Sequence, residues 1–161
     1  MTLTAPDPPT GITRPHSWRI ALPEGLKLLN ENQTRRMHWH AKSDIAAAIR
    51  AAAAYAARQA LRDGMPTMQR AHIFYVIHPG PRVTRRDPAN WAQSAKAAID
   101  GLVDAGVLPD DDSTRCLGGD PRIGTPIKGS QLVLWITDLD QIHPHHLALL
   151  NPPHTLPGDA R

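Results

Sequence analysis

The stretch RRDPANWAQSAKAAIDGLVDAGVLPDDD, residues 85–112, places an apolar helical stripe between one aspartate, Asp87, and three consecutive aspartates at residues 110–112. Asp87 followed by Pro88 is a helix-start signal, because an acidic N-cap accepts backbone hydrogen bonds and proline suits the first helical turn. Gly106 supplies the expected helix end. Between these signals, apolar residues recur at steps of three and four, at Trp91, Ala95, Ile99 and Leu102. The stretch therefore predicts a helix with carboxylates at both ends.

The acidic residues that follow this helix predict a cation site. A short link, residues 107–109, delivers Asp110, Asp111 and Asp112, which can fold back towards Asp87. Clustered carboxylates suit a hard divalent cation such as Mg²⁺. Together with the ammonium group of Lys96, they offer the parts that phosphodiester hydrolysis needs, because carboxylates hold the ion and a nearby cation stabilises the pentacoordinate phosphate.

A structural interpretation of the same residues stays open at this point. Asp87 is then a helix cap, and Lys96 pairs with Asp100 one helical turn later. The three aspartates form a solvated turn. Spacing alone does not choose between this interpretation and the metal site.

Length and charge bound the organisation of the chain. Its 161 residues suffice for one domain with its own core, and we expect a Pro-rich disordered arm at residues 1–15, a single folded domain at 16–140 and a His- and Pro-rich tail at 141–161. The clustered histidines of that tail favour a polar segment over a metal site, because no regular ligand spacing accompanies them. The net charge of +3 and the pI near 9.4 favour an anionic partner such as nucleic acid.

The compartment follows from cysteine content and hydropathy. Cys116 is the only cysteine, so that an internal disulfide and a four-cysteine zinc site are excluded. No apolar run reaches membrane-spanning length, and the first 15 residues lack a signal-peptide pattern. We expect a soluble cytoplasmic protein without membrane contact.

Strand and helix patterns predict an α/β (α+β) fold, in which a small mixed β-sheet packs with two main α-helices. Residues 17–22 alternate like a half-buried strand, and residues 71–78 and 131–137 read as buried strands, with a further short strand at 114–117. Residues 118–129, rich in Gly and Pro, are expected to be a connection. An Ala-rich helix is predicted from about Ile45 to Arg62, capped by Ser43 or Asp44.

The loop before that helix, residues 26–42, is basic and contains aromatic and amide side chains. It includes Asn30, Arg35, Arg36 and Trp39. One interpretation is a surface that contacts a phosphate backbone, and the other is a polar loop that Trp39 anchors in the core.

Residues 85–112 resemble the RusA-type Holliday-junction resolvases, small metal-dependent endodeoxyribonucleases often found in phages and prophages. The family pattern is a basic run, Asp-x-Asp-Asn, a helical Lys, an Ala-Gly helix end and an Asp-Asp pair. The matching residues here are Arg85-Arg86, Asp87-Pro88-Ala89-Asn90, Lys96, Ala105-Gly106 and Asp110-Asp111. A weaker resemblance in element order extends over most of residues 18–139.

The resemblance implies a RusA-like homodimer that resolves four-way DNA junctions in recombination and repair, within a bacterial or phage-infected host cell. It implies Mg²⁺, with Mn²⁺ as the alternative cofactor, and paired nicking of opposite strands. The implied catalytic residues are Asp87, Lys96 and Asp111, and the implied metal ligands are Asp87, Asn90, Asp110 and Asp111. The implied DNA-binding residues are Asn30, Arg35, Arg36, Arg85 and Arg86.

Two departures from the family pattern bear on catalysis. Ala89 stands where the family has its second Asp, which removes one carboxylate; Asn90 or Asp112 are the residues that can supply oxygen instead. Three extra residues separate Asn90 from Lys96, so that Lys96 faces the site with an offset or the helix begins later, capped by Ser94. The alternative function is a catalytically weakened or inactive protein that binds branched DNA.

Overall fold

Residues 17–151 are described by the computed structural model, and their centre is a four-stranded mixed sheet. Its strands are β1 (Ser17–Ala21), β2 (Ala71–His78), β3 (Cys116–Ile123) and β4 (Gln131–Asp138). The spatial order is β1-β4-β2-β3. Strand β4 runs antiparallel to both β1 and β2, whereas β2 and β3 are parallel. The mixed sheet expected from the sequence is thereby confirmed.

Within residues 17–151, four helices accompany the sheet: α1 (Glu31–Thr34), α2 (Trp39–Arg62), α3 (Ala92–Asp104) and α4 (Pro144–Leu150). Two parallel neighbours such as β2 and β3 cannot be joined by a tight turn and need a crossover. A 3₁₀ turn at Pro88–Trp91 and helix α3 provide it. This crossover contains the stretch 85–112, so that Asp87 lies between β2 and α3, and residues 110–112 lie between α3 and β3.

The core lies between the sheet and the two long helices. Alternating residues of the central strands point towards the helices and are buried, as a period of two requires. Ala98 and Leu102 of α3 and Ile49 and Ala53 of α2 meet them, and all four are inaccessible to solvent. The buried strand residues are Ile73, Tyr75, Ile77, Leu132, Leu134 and Ile136.

Helix α2 begins six residues earlier than its composition predicts. Neither Ser43 nor Asp44 is its cap; the imidazole of His38 accepts a hydrogen bond from the backbone N–H of His40 instead. The early start turns Trp39 into a surface residue of the first helical turn, with 65% of its area exposed. The interpretation that Trp39 anchors the loop in the core is therefore wrong.

Strand β3 is longer than the short strand predicted at residues 114–117. The Gly-Gly-Asp-Pro segment, predicted as a connection, pairs with β2 as far as Ile123. Proline is tolerated here because β3 is an edge strand, and a register shift between Ile73 and Phe74 of β2 accommodates the glycines. Gly and Pro therefore mark an irregular edge strand rather than a loop.

The two predicted terminal segments fall largely beyond the described part of the chain. The arm at residues 1–15 lies wholly outside it, and so do residues 152–161. Within the predicted tail, the structure shows α4, whose cap is His143. In the described range 17–151, no helix has the length and apolar character needed to cross a membrane.

Helices α2 and α3 are in close contact at Gly101. A Cβ atom added there would collide with the carbonyl oxygen of Arg50 and would lie 2.8 Å from the Cβ of Ala53. Both obstacles are rigid, because one belongs to the helix backbone and the other is a methyl group on it. Glycine at this position thus fixes the distance between the two helices.

Replacing Gly101 by Ala should lower the free energy of unfolding. Overpacking of a close contact typically costs about 1–3 kcal/mol, whereas the better helix propensity of Ala returns about 1 kcal/mol. Because neither obstacle can rotate away, we expect a net loss, measured by urea unfolding. Gly80→Ala is the control, since a Cβ there meets nothing within 4 Å. Equal midpoints for the two variants would contradict the close-contact account.

Candidate active site

A cavity of about 280 Å³ opens between the first half of α3 and the start of β3. We call it the α3 cavity. Its polar side chains are Lys96, Asp111 and Tyr75, and its apolar wall comes from α3. Gly119 of β3 has no side chain, which leaves the space beside the ring of Tyr75 free, because an added Cβ would lie only 2.8 Å from that ring. The remaining lining residues are Ala92, Ala95, Ile99, Cys116 and Gly118.

The ammonium group of Lys96 joins two carboxylates at this cavity. Its Nζ donates to Oδ2 of Asp111 at 2.6 Å and to Oδ1 of Asp100, one helical turn along α3. The hydrogen bond to Asp100 and then that to Asp111 raise the pKa of Lys96. In return, the hydrogen bond from Lys96 holds the pKa of Asp111 below its ordinary value. Both groups are therefore charged at neutral pH, and Lys96 faces the site despite the three extra residues before it.

The start of helix α3 decides between the two alternatives for Lys96, an offset position on the helix or a helix that begins at Ser94. The helix does not begin at Ser94, which is buried inside it; Trp91 precedes the first helical residue. The hydroxyl of Ser94 accepts from the N–H of Leu29 at 2.7 Å and donates to the carbonyl of Leu29 at 3.0 Å. Ser94 thus ties α3 to the loop after β1, and the prediction that it caps the helix is wrong.

The loop that begins at Asp87 contacts Tyr75, which lines the α3 cavity. The side chain of Asp87 caps the 3₁₀ turn by accepting from the N–H of Ala89 at 3.0 Å, as the sequence predicts. The hydroxyl of Tyr75 donates to the carbonyl of Pro88 at 3.1 Å and holds this loop against the cavity. Burial, then the charges of Asp87 and Asp120, raise the pKa of Tyr75. Asp87 is therefore close enough to act on a group that lines the cavity.

The other proposed oxygen donors occupy the two loops next to the cavity. Asp110 is exposed, and its Oδ1 accepts from the N–H of Asp111 at 2.7 Å. Asp112 is occupied in its own turn, where its Oδ1 accepts from the N–H of Thr114 at 2.7 Å, and the Thr114 hydroxyl lowers the pKa of this carboxyl. Asn90 is half-buried within the 3₁₀ turn. Asp112 is thus the donor most fully used by local structure.

The donor chemistry suits Mg²⁺, whereas the arrangement does not form a cage. Aspartate and asparagine oxygens are ligands that this ion prefers. Within residues 17–151, no group of three or more His, Cys, Asp or Glu side chains is placed to hold a metal ion. Mg²⁺ usually takes one or two carboxylates and completes its shell with water and substrate phosphates. Asp87 and Asp111 are the carboxylates that the sequence predicts as ligands, and in the structure Asp111 is ion-paired with Lys96.

Arginines lie beside this site in a second groove of about 300 Å³, which we call the arginine groove. It runs between α1 and the loop after β2, and Arg82 and Arg85 line it. Asn30 reaches the same groove, although it is buried and its side chain caps α1 by accepting from the N–H of Asn32. The arginine groove thus joins the two segments that the sequence assigns to DNA contact.

The remaining predicted DNA-binding residues are on the surface. Arg35 and Arg36 follow α1 and are exposed, like Arg85. Arg86 is also exposed, and its Nε donates to the carbonyl of Val83 at 3.0 Å. The structure therefore leaves the arginine side chains of both segments at the surface, where a polyanion can reach them.

Two residues of the site had no functional role in the sequence interpretation. Asp100 appeared only as a partner of Lys96 in a structural alternative, yet it shares that lysine with Asp111. Tyr75 belongs to a strand of mostly apolar residues. Its position two residues from both Ile73 and Ile77 is the only sequence signal that it faces the helices with them. Cys116 also lines the cavity, and burial raises the pKa of its thiol to about 11, so that the thiolate is scarce at neutral pH.

Comparison with known proteins gives no family assignment. No model of a known protein family matches the chain, and no curated protein sequence matches it.

Replacing Lys96 by Met should raise the pKa of Asp111 towards the ordinary value of 3.8. Because the folded pKa is depressed, the pair stabilises the fold above that ordinary value and loses its effect as the pH falls through the folded pKa. A carbon-detected NMR titration of the Asp111 carboxyl measures the change. Arg70→Met removes a remote exposed ion pair with Asp140 and should leave the titration of Asp111 unaltered. An unchanged Asp111 titration in Lys96→Met would refute the pairing.

Proposed function

We propose that this chain is a metal-dependent endodeoxyribonuclease that cleaves branched DNA, with the α3 cavity as its active site. One observation supports the proposal: Lys96 donates to Asp111 in a cavity that Tyr75 also lines, and the hydroxyl of Tyr75 donates to the carbonyl of Pro88, next to Asp87. Carboxylates beside an ammonium group are the parts that phosphodiester hydrolysis uses. The substrate class, a four-way junction, comes from the resemblance of residues 85–112 to the RusA-type resolvases.

The roles of the side chains follow from charge and exposure. Arg85 in the arginine groove, with Arg35, Arg36 and Arg86, binds the DNA backbone through contacts that weaken as salt rises. Lys96 keeps 61% of its side chain exposed, so that its ammonium group can approach a phosphoryl oxygen. The pentacoordinate phosphate carries more negative charge than the substrate does, and the ammonium group stabilises that excess.

Asp100 acts as a positioning residue for Lys96. It lies four residues further along α3, and its carboxylate holds the ammonium group when Asp111 turns to another cation. Asp87 and Asp111, with Asp110 and Asn90 as further donors, would hold Mg²⁺ or Mn²⁺, which would supply Lewis acidity and an activated water. Because Ala89 offers no carboxylate, the chain would supply one ligand fewer than the family pattern does.

The proposal includes a homodimer and a location in the cytoplasm. Paired nicks in opposite strands of a junction need two active sites, and the chain offers one α3 cavity with these polar groups. A second copy supplies the other. Chromosomal or phage DNA in the bacterial cytoplasm is the substrate pool that a junction nuclease of recombination and repair requires.

A synthetic four-way junction incubated with the purified protein and Mg²⁺ tests this function. We expect symmetric nicks with the wild type and a loss of about 100-fold or more in Asp111→Asn, the size of effect seen when a preorganised transition-state group is removed. Asp140→Asn is the matched control, because Asp140 pairs with Arg70 away from the site. Absence of nicking by the wild type, or equal nicking by Asp111→Asn, would exclude a nuclease at this site.

A second function, binding of branched DNA without cleavage, is favoured by two observations. Ala89 removes a carboxylate, and the ammonium group of Lys96 neutralises Asp111 in the position where a divalent cation would compete. This function predicts junction binding that needs no metal, and no product with Mg²⁺ or Mn²⁺. A metal-dependent nick that Asp111→Asn abolishes would rule it out.

The variant Ala89→Asp separates a weakened nuclease from a pure binding protein. Ala89 is exposed, so that an aspartate fits there without a packing cost. If the missing carboxylate limits the site, junction cleavage rises in Ala89→Asp and falls again in the double variant Ala89→Asp, Asp111→Asn. Unchanged cleavage in Ala89→Asp means that the lost ligand is not what limits activity.

A further inference from the structure

Trp39 is the most exposed tryptophan among the large hydrophobic residues that the structure leaves at the surface between residues 17 and 151. The ring of His40 lies against its indole, with centroids 3.5 Å apart, and the ring of His38 is 6.2 Å away. Single exposed aromatic residues are common on proteins. The meaning of Trp39 therefore depends on the charges and the shape around it.

The charges around Trp39 are those of a polyanion-binding surface. From Arg35 to Lys42 the chain contains three formal positive charges, two histidines and no acidic residue. Arg35 and Arg36 are exposed, and Lys42 lies one helical turn beyond Trp39. Electrostatic attraction to a phosphate backbone, together with stacking on an aromatic ring, is how proteins hold unpaired nucleic acid.

A groove continues from Trp39 along the same face of α2. Trp39, Lys42, Ser43 and Ala46 are separated by steps of three and four residues, so that they share one side of the helix. The last three line a groove of about 490 Å³ between α2 and α3, which we call the α2–α3 groove. Trp39 therefore lies on the same face of α2 as the residues that form one wall of the α2–α3 groove, and this wall includes Lys42.

The far wall of the α2–α3 groove leads to the proposed active site. Gln93, Lys96 and Asp100 of α3 form this wall, where the ammonium group of Lys96 is paired with Asp100, and Leu29 and Ala97 contribute to its apolar floor. Lys96 also lines the α3 cavity. A strand that lies in the groove is thus brought to the side chain that faces Asp111.

We propose that Trp39 is a stacking platform for an unpaired base of single-stranded or branched DNA. Arg35, Arg36 and Lys42 bind the phosphates on either side of that base, and the strand follows the α2–α3 groove towards Lys96. Unpaired bases occur where a junction opens, whereas fully paired duplex DNA has none. The stacking surface is independent of catalysis, whereas the direction of the strand rests on the proposed nuclease function.

Binding of a fluorescein-labelled thymidine oligonucleotide, followed by anisotropy in EDTA, tests the platform. Loss of one stacked base corresponds to a change of about 10- to 100-fold in Kd, and we expect Trp39→Ala to bind weaker by that factor. Trp39→Phe should retain much of the affinity. Tyr55→Ala is the matched control, because Tyr55 lies on the same helix and is also 65% exposed.

An abasic oligonucleotide of the same length separates stacking from charge attraction. The difference between wild type and Trp39→Ala should vanish with it, whereas Arg35→Ala should weaken binding to both probes. A difference of less than twofold on the thymidine probe, an equal loss in Tyr55→Ala, or a loss that persists on the abasic probe would overturn the stacking role. Because EDTA prevents cleavage, stacking without nicking refutes only the nuclease, and nicking without stacking refutes only the platform.

Discussion

The close approach of α2 and α3 at Gly101 is the constraint on which the proposed site depends. The helices can touch only because Gly101 has no side chain and Ala53 a small one. This contact sets the width of the groove between the helices and fixes the side of α3 that turns away from the core. Ser94, one turn into α3, bonds both backbone groups of Leu29 and joins the same helix to the loop after β1. Helix α3 is thereby fixed both to α2, at Gly101, and to the loop after β1, at Ser94. These two contacts hold Lys96 at the surface.

Charge balance is the second property of the site. Two carboxylates, Asp100 and Asp111, share one ammonium group, and the pKa directions of Lys96 and Asp111 show that each keeps the other ionised. Two carboxylates and one ammonium group leave this triad with a net charge of −1. Under the proposed function, a divalent cation would compete with Lys96 for Asp111, and the second ion pair, with Asp100, would keep Lys96 at the site.

The sequence predicted the regular parts of this molecule well, since apolar periodicity identifies the buried strand from Ala71 to His78 and the helix that follows Asp87. The predictions were wrong where backbone pairing at a sheet edge or a helix cap, and not apolar periodicity, decides the structure. Gly118 and Gly119 suggested a loop, yet an edge strand tolerates them because only one of its sides is paired. Histidine is not among the preferred N-cap residues, so the start of α2 was predicted too late, and the choice between an exposed and a buried Trp39 stayed open. Asp87, Lys96, Asp111 and the pairing of Lys96 with Asp100 were predicted from the sequence. The contacts of Lys96 with Asp111 and of Tyr75 with the loop after Asp87 needed the tertiary structure, because they depend on how the crossover meets the sheet.

The proposed nuclease function requires Asp87 and Asp111 to bind a divalent cation together beside the α3 cavity. Paramagnetic broadening of backbone amide signals by Mn²⁺ measures this binding, with the wild type and Asp111→Asn titrated side by side. We expect saturable broadening that is strongest around Asp87 and around Asp110 and Asp111, that strengthens when DNA is present, and that disappears in Asp111→Asn. Broadening that is equally strong at the exposed carboxylate of Asp140, or that survives in Asp111→Asn, would exclude a cation site at these residues.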